Sequence, residues 1–227
     1  MLQALGWGAL AAASLVIGGL LGVARAWPDK LVGAVLAFGA GALISAVSFD
    51  LFEEGLQLAG GVPVAIGLAA GALTYFTLDR LLERKVPGAG AALALGALLD
   101  GIPEQAVLGI GLASGQGVSI SLLAAIFVSN LPEAIGASTE LRRAKRSSAT
   151  ILRMWGAVAG VCMVATVAGF AIADATSGDF KAGINGFAAG ALLVMLVDSM
   201  IPDAREKAGR IAGLVTVLGF AVAAGLS

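Results

Sequence analysis

Asp100-Gly101-Ile102-Pro103-Glu104 and Ser129-Asn130-Leu131-Pro132-Glu133 decide how this chain is read, because each places carboxylates and a proline inside a long apolar run. Pro-Glu thus occurs in two successive apolar segments, as Pro103-Glu104 and Pro132-Glu133. A carboxylate deep in a membrane segment costs at least ~2.5 kcal/mol, so three near one level call for a compensating partner, and a bound cation supplies one. Proline lacks an N–H and frees the carbonyl four residues back. Pro103 would free the carbonyl of Leu99 and Pro132 that of Val128, which leaves spare oxygen ligands beside the acids.

The surrounding composition belongs to a membrane protein. The chain has 227 residues, 59% of them hydrophobic and 13% charged, with a mean hydropathy of +0.96. Its net charge of −1 gives no basic field for nucleic acid. Thirty-three glycines suit close helix packing in lipid. Cys162 is the one cysteine and histidine is absent, so an internal disulfide and a Cys/His zinc cluster are both excluded.

Working outward, eight apolar segments fall at about 4–24, 31–52, 62–82, 91–113, 119–141, 150–173, 182–203 and 210–226, most near the ~20 residues that span a bilayer. No run alternates with the period-two pattern of a barrel. Ala24-Arg25-Ala26 resembles a signal-cleavage site, but no basic residue precedes the first apolar run, so that run is expected to be a membrane helix. With the N-terminus outside, Arg25, Lys30, Arg80, Arg84, Lys85, Arg142, Arg143, Lys145, Arg146, Arg153, Arg205, Lys207 and Arg210 lie on the inner side, and Lys181 alone lies outside. Both termini are therefore expected on the non-cytoplasmic side of a cell (inner) membrane.

Phe38-Gly39-Ala40-Gly41-Ala42-Leu43 returns late in the chain as Phe187-Ala188-Ala189-Gly190-Ala191-Leu192. Segment 2 runs outward and segment 7 inward, so the copies are inverted, an arrangement that puts a substrate site near the midplane. Segments 4 and 5 lie between the halves. Asp100 and Glu104 are one helical turn apart, as are Asn130 or Ser129 and Glu133. The expected metal site is all-oxygen: Asp100, Glu104, Glu133 and Asn130, with Ser129 as a further candidate. Asp50 and Glu54 would line an outer mouth, with Glu53 turned to water. Asp198 and Asp203 would mark an inner exit. Met154, Cys162 and Met163 read as packing residues.

These residues resemble the Zrt/Irt-like protein (ZIP) family of divalent metal transporters. The family motif His-Asn-x-Pro-Glu-Gly is met on segment 4 by Asp100-Gly101-Ile102-Pro103-Glu104-Gln105, and His-x-x-Pro-Glu on segment 5 by Ser129-Asn130-Leu131-Pro132-Glu133. Asp50-Leu51-Phe52-Glu53-Glu54 resembles the family's end of segment 2 in its first and last positions. The resemblance implies an all-α polytopic membrane protein of eight transmembrane helices, with helices 1–3 and 6–8 inverted around 4–5, forming one transporter domain over 1–227. It also implies movement of a divalent cation toward the cytoplasm. Asp100 and Ser129 stand where histidines are usual, and segment 6 has no buried acid, so one metal site is expected rather than two. Oxygen ligands favour harder ions, although zinc accepts carboxylates. Zn²⁺, Mn²⁺ or Fe²⁺ is expected as substrate.

The chain is thus expected to be a transporter and not an enzyme. Its expected partners are lipid and the metal ion, a homodimer stays an open option, and nucleic acid is not a partner. Two other readings stay open: transport of another solute with the acids as a proton relay, or a non-transporting ZIP-like scaffold or sensor.

Overall fold

The computed structural model describes residues 1–85, 89–113, 119–176 and 178–226, with backbone alone at 82–85 and 89–93. The turns that join segment 3 to 4 and segment 4 to 5 therefore lie largely outside the described residues. Eight helices run through the rest: α1 (Leu2–Ala24), α2 (Asp29–Ala59), α3 (Gly61–Lys85), α4 (Ala89–Leu112), α5 (Ile120–Arg143), α6 (Ser148–Asp174), α7 (Gly178–Ala208) and α8 (Ile211–Ala224). No strand occurs among the described residues. The first seven are long and apolar enough to cross a bilayer. At ~1.5 Å per residue the 14-residue α8 is shorter, about 21 Å.

Helices α2 and α7 outrun the 31–52 and 182–203 expected from hydropathy. The apolar pattern fades at the acids, but the backbone stays helical until Gly60 and Gly209, at φ 78° and 67°. That left-handed conformation strains residues with a Cβ, so glycine is where such a helix stops. The two glycines are repeat partners: Gly60 stands to Phe38 as Gly209 stands to Phe187. Each helix also carries a π-helical stretch, Val47–Glu53 in α2 and Leu196–Met200 in α7. Their first residues, Val47 and Leu196, again match in the repeat. Pro103 and Pro132 lie inside α4 and α5 without ending either.

Helix packing obeys the same inversion. Helices α1, α4, α5 and α6 pack together, as do α2, α3, α7 and α8; α2–α5 and α4–α7 are the main contacts between the two bundles. Exchanging α1 with α6, α2 with α7, α3 with α8 and α4 with α5 maps this pattern onto itself. Glycines set the close approaches. A Cβ on Gly41 would fall inside the Thr216 carbonyl oxygen and one on Gly219 inside that of Phe38; Gly190 with Leu68 and Gly71 with Phe187 are the repeat-related pairs. In the other bundle Gly22 sits on the Ile135 carbonyl and Gly169 on that of Ala106. Lipid tails are as apolar as leucine, so such dispersion-rich contacts hold helices together where water cannot drive them. Trp155 is fully buried against Gly19 and donates its indole N–H to Ser138 Oγ at 2.7 Å.

Candidate metal centre

Glu104 lies at the heart of the α4–α5 contact, 1% exposed. Ser129 Oγ donates to its Oε1 at 3.1 Å and Asn130 Nδ2 to its Oε2 at 2.8 Å. Ser129 and Asn130 point at α4 because they follow one another on the inner face of α5, which also buries Ile126 and Pro132. Asn130 Oδ1 is buried and has no hydrogen-bond partner among the described residues. A carbonyl oxygen of this kind, next to a buried carboxylate, is suited to a hard or borderline cation.

Asp100, one turn earlier on α4, faces elsewhere. The Tyr75 hydroxyl of α3 donates to its Oδ1, and Ser199 Oγ of α7 donates to its Oδ2 at 3.0 Å. Glu133 lies within electrostatic reach of Asp100 and Glu104, and also of Asp203 and Lys207 near the end of α7. The three acids therefore act on one another without closing on a single point. Among the described residues no three His, Cys, Asp or Glu side chains are grouped tightly enough to hold a metal ion.

The remaining expected residues are spread along the helices. Asp50, in the π stretch of α2, accepts from Ser119 Oγ at 3.0 Å and Ser121 Oγ at 3.3 Å, at the start of α5. Ser119 also caps α5 by accepting from the Leu122 N–H at 3.1 Å. Glu54 is partly buried and feels the charges of Lys181 and Asp50. Asp198 is exposed, while its neighbour Ser199 turns toward Asp100. Asp203 pairs with Lys207 at 3.1 Å.

Sequence reasoning missed Tyr75 and Ser199. Ser199 was nevertheless detectable, since it occupies in the inverted copy the position that Asp50 holds in the first. Gln105, where the family motif has glycine, is fully buried and accepts the Thr166 hydroxyl at 2.6 Å, and its Nε2 lacks a partner among the described residues. Gly101, where the motif has asparagine, has its reason in packing: a Cβ there would lie 2.8 Å from Cys162 Sγ.

Comparison with known proteins adds one informative likeness. A protein of Arabidopsis thaliana, provisionally named a zinc transporter, is 31% identical over 183 residues. The match covers 74% of this chain and 29% of the relative's length. No family model matches. The likeness and the apolar helices together support an integral membrane protein.

Proposed function

We propose that the chain is a ZIP-type transporter that carries a divalent cation across the membrane toward the cytoplasm, as one transporter domain over 1–227. The observation that carries this reading is Glu104: a buried carboxylate between two inverted halves, held by Ser129 and Asn130, with the Asn130 carbonyl oxygen left unpartnered beside it among the described residues. Glu104, Asn130 and Ser129 form the core of the site, and Asp100 and Glu133 complete it when the ion enters. Asp50 and Glu54 receive the ion from the face that bears the termini. The basic residues at the opposite helix ends favour that opposite face as cytoplasmic.

Alternating access is supported by the joint between the bundles. Ser129 packs beside Gly39, with its Cα 2.9 Å from where a Cβ on that glycine would be. The inversion relates this pair to Asp100 and Ala188, yet Asp100 meets Ser199, about three turns further along α7. Each bundle is internally symmetric but the joint is not, which is the expected form of a transporter resting at one end of its cycle.

The test is uptake of Zn²⁺, Mn²⁺ and Fe²⁺ into proteoliposomes, with Glu104→Ala beside the parent. Metal-dependent uptake lost in the variant supports the proposal. Equal uptake by both proteins would remove Glu104 from the pathway, and absence of uptake of any metal by the parent would favour the scaffold reading.

A further inference from the structure

Both oxygens of Asp100 are engaged, and both donors come from the bundle to which Asp100 does not belong. Asp100 is on α4, Tyr75 on α3 and Ser199 on the π stretch of α7. Tyr75 is 3% exposed, so its ring is fixed by packing. One turn away, both oxygens of Glu104 are taken by donors of α5, inside their own bundle. Two carboxylates at one-turn spacing on a single helix are thus turned to opposite sides of the joint. Because the two carboxylates face opposite sides of the joint, an ion that bridges them must draw Asp100 toward Glu104 and away from Tyr75 and Ser199.

The inversion sharpens the point. Gly71 and Gly219 are repeat partners in α3 and α8, so the position matching Tyr75 is Ala223, which carries no hydroxyl. The position matching Ser199 is Asp50, an acceptor and not a donor. The pair that grips Asp100 therefore exists on one side of the transporter only.

We propose that Tyr75 and Ser199 are positioning residues that compete with the metal ion for Asp100: they draw it out of the coordination set in this conformation, so that the ion is held by fewer ligands and leaves more readily. This rests on the metal-site reading given above. Coordination of the ion by Asp100 and the Tyr75–Asp100–Ser199 contact exclude one another, and the contact ties the bundles together when the ion has gone.

The experiment measures Zn²⁺ affinity and release rate for the full chain in detergent, by competition with a fluorescent chelator, for the parent, Tyr75→Phe, Ser199→Ala, Glu104→Gln, and each hydroxyl variant combined with Asp100→Asn. A hydrogen bond to a charged group is worth enough that Tyr75→Phe should bind Zn²⁺ roughly ten- to a hundredfold tighter and release it correspondingly more slowly. Ser199→Ala should act in the same direction. Neither should matter in the Asp100→Asn background, since the coupling runs through that carboxylate. A purely structural role would not tighten binding, and it would not vanish with Asp100. Unchanged or weaker affinity in both hydroxyl variants, with binding still lost in Glu104→Gln, overturns the proposal and leaves the metal site standing. Equal tightening with and without Asp100→Asn also overturns it. Zn²⁺ binding by Glu104→Gln equal to the parent brings down the metal-site reading itself. If Tyr75→Phe does not fold, Ser199→Ala decides alone.

Discussion

Replacing Glu104 by glutamine separates charge from shape at the centre of the molecule. The amide oxygen can accept the Asn130 N–H that now ends on Oε2 at 2.8 Å. The new NH₂ can donate to Ser129 Oγ, whose own hydrogen then goes to the Ile126 carbonyl, already 2.9 Å away. Every hydrogen bond is kept and a buried charge is removed, so the metal-free variant should melt no lower than the parent. The metal response should differ. A ligand at 100 times its Kd stabilises a folded protein by about 2.7 kcal/mol. For a chain of this length, at about 2–4 °C per kcal/mol, that is a rise of roughly 5–10 °C. The parent should show this rise with saturating Zn²⁺ or Mn²⁺ in a detergent thermal-shift assay, and Glu104→Gln should show almost none. An equal rise in both proteins would mean that the ion binds elsewhere, and the reasoning from the Ser129–Glu104–Asn130 cluster would fail.

Asp100→His exchanges a hard oxygen for a borderline nitrogen, so competition binding should show preference shifted from Mn²⁺ toward Zn²⁺; a parent already strongly selective for Zn²⁺ and unmoved by the change would refute the ligand-type argument. Asp198→Asn should leave Zn²⁺ affinity within about twofold in chelator competition, because the side chain is exposed. Gly41→Ala should lower the melting temperature by a shift equivalent to about 1–3 kcal/mol or more, because its methyl meets the Thr216 carbonyl; an unchanged melt would contradict the packing. A cysteine at Arg146, after Cys162 is replaced, should resist an impermeant thiol reagent in intact cells, and ready labelling would reverse the orientation.

Much of this was readable in the chain. Hydropathy located the eight helices, the Phe38 and Phe187 runs revealed the inversion, and Pro-Glu marked α4 and α5 as its centre. The misses have physical causes. Asp198, expected to mark the inner exit, is exposed. The π stretch at Leu196–Met200 alters the turn, so that Ser199 faces Asp100 and Asp198 faces outward. Tyr75 sits in a mostly apolar helix, where one aromatic residue reads as lipid-facing or core, and only the fold brings its hydroxyl to a carboxylate on the next helix. The one-turn spacing of Asp100 and Glu104 suggested that they share partners, but spacing on one helix does not fix which neighbour each side chain finds.

The glycine contacts have a mechanical meaning. A helix seated with backbone on backbone, as at Gly41, Gly71, Gly190 and Gly219, cannot roll or advance by one residue without first lifting out of its notch. The bundle of α2, α3, α7 and α8 is therefore keyed along its length, as Gly22 and Gly169 key the other. The joint on the α4–α7 side is built otherwise: an apolar cavity of about 450 Å³ opens between α3, α4, α6 and α7, reaching Tyr75, Pro103 and Phe187, with the hydroxyl contacts to Asp100 beside it. Hydrogen bonds across a gap can be exchanged one at a time, whereas interlocked backbones must part together. If the bundles move against one another, this seam offers the room to do so, with Asp100 beside it.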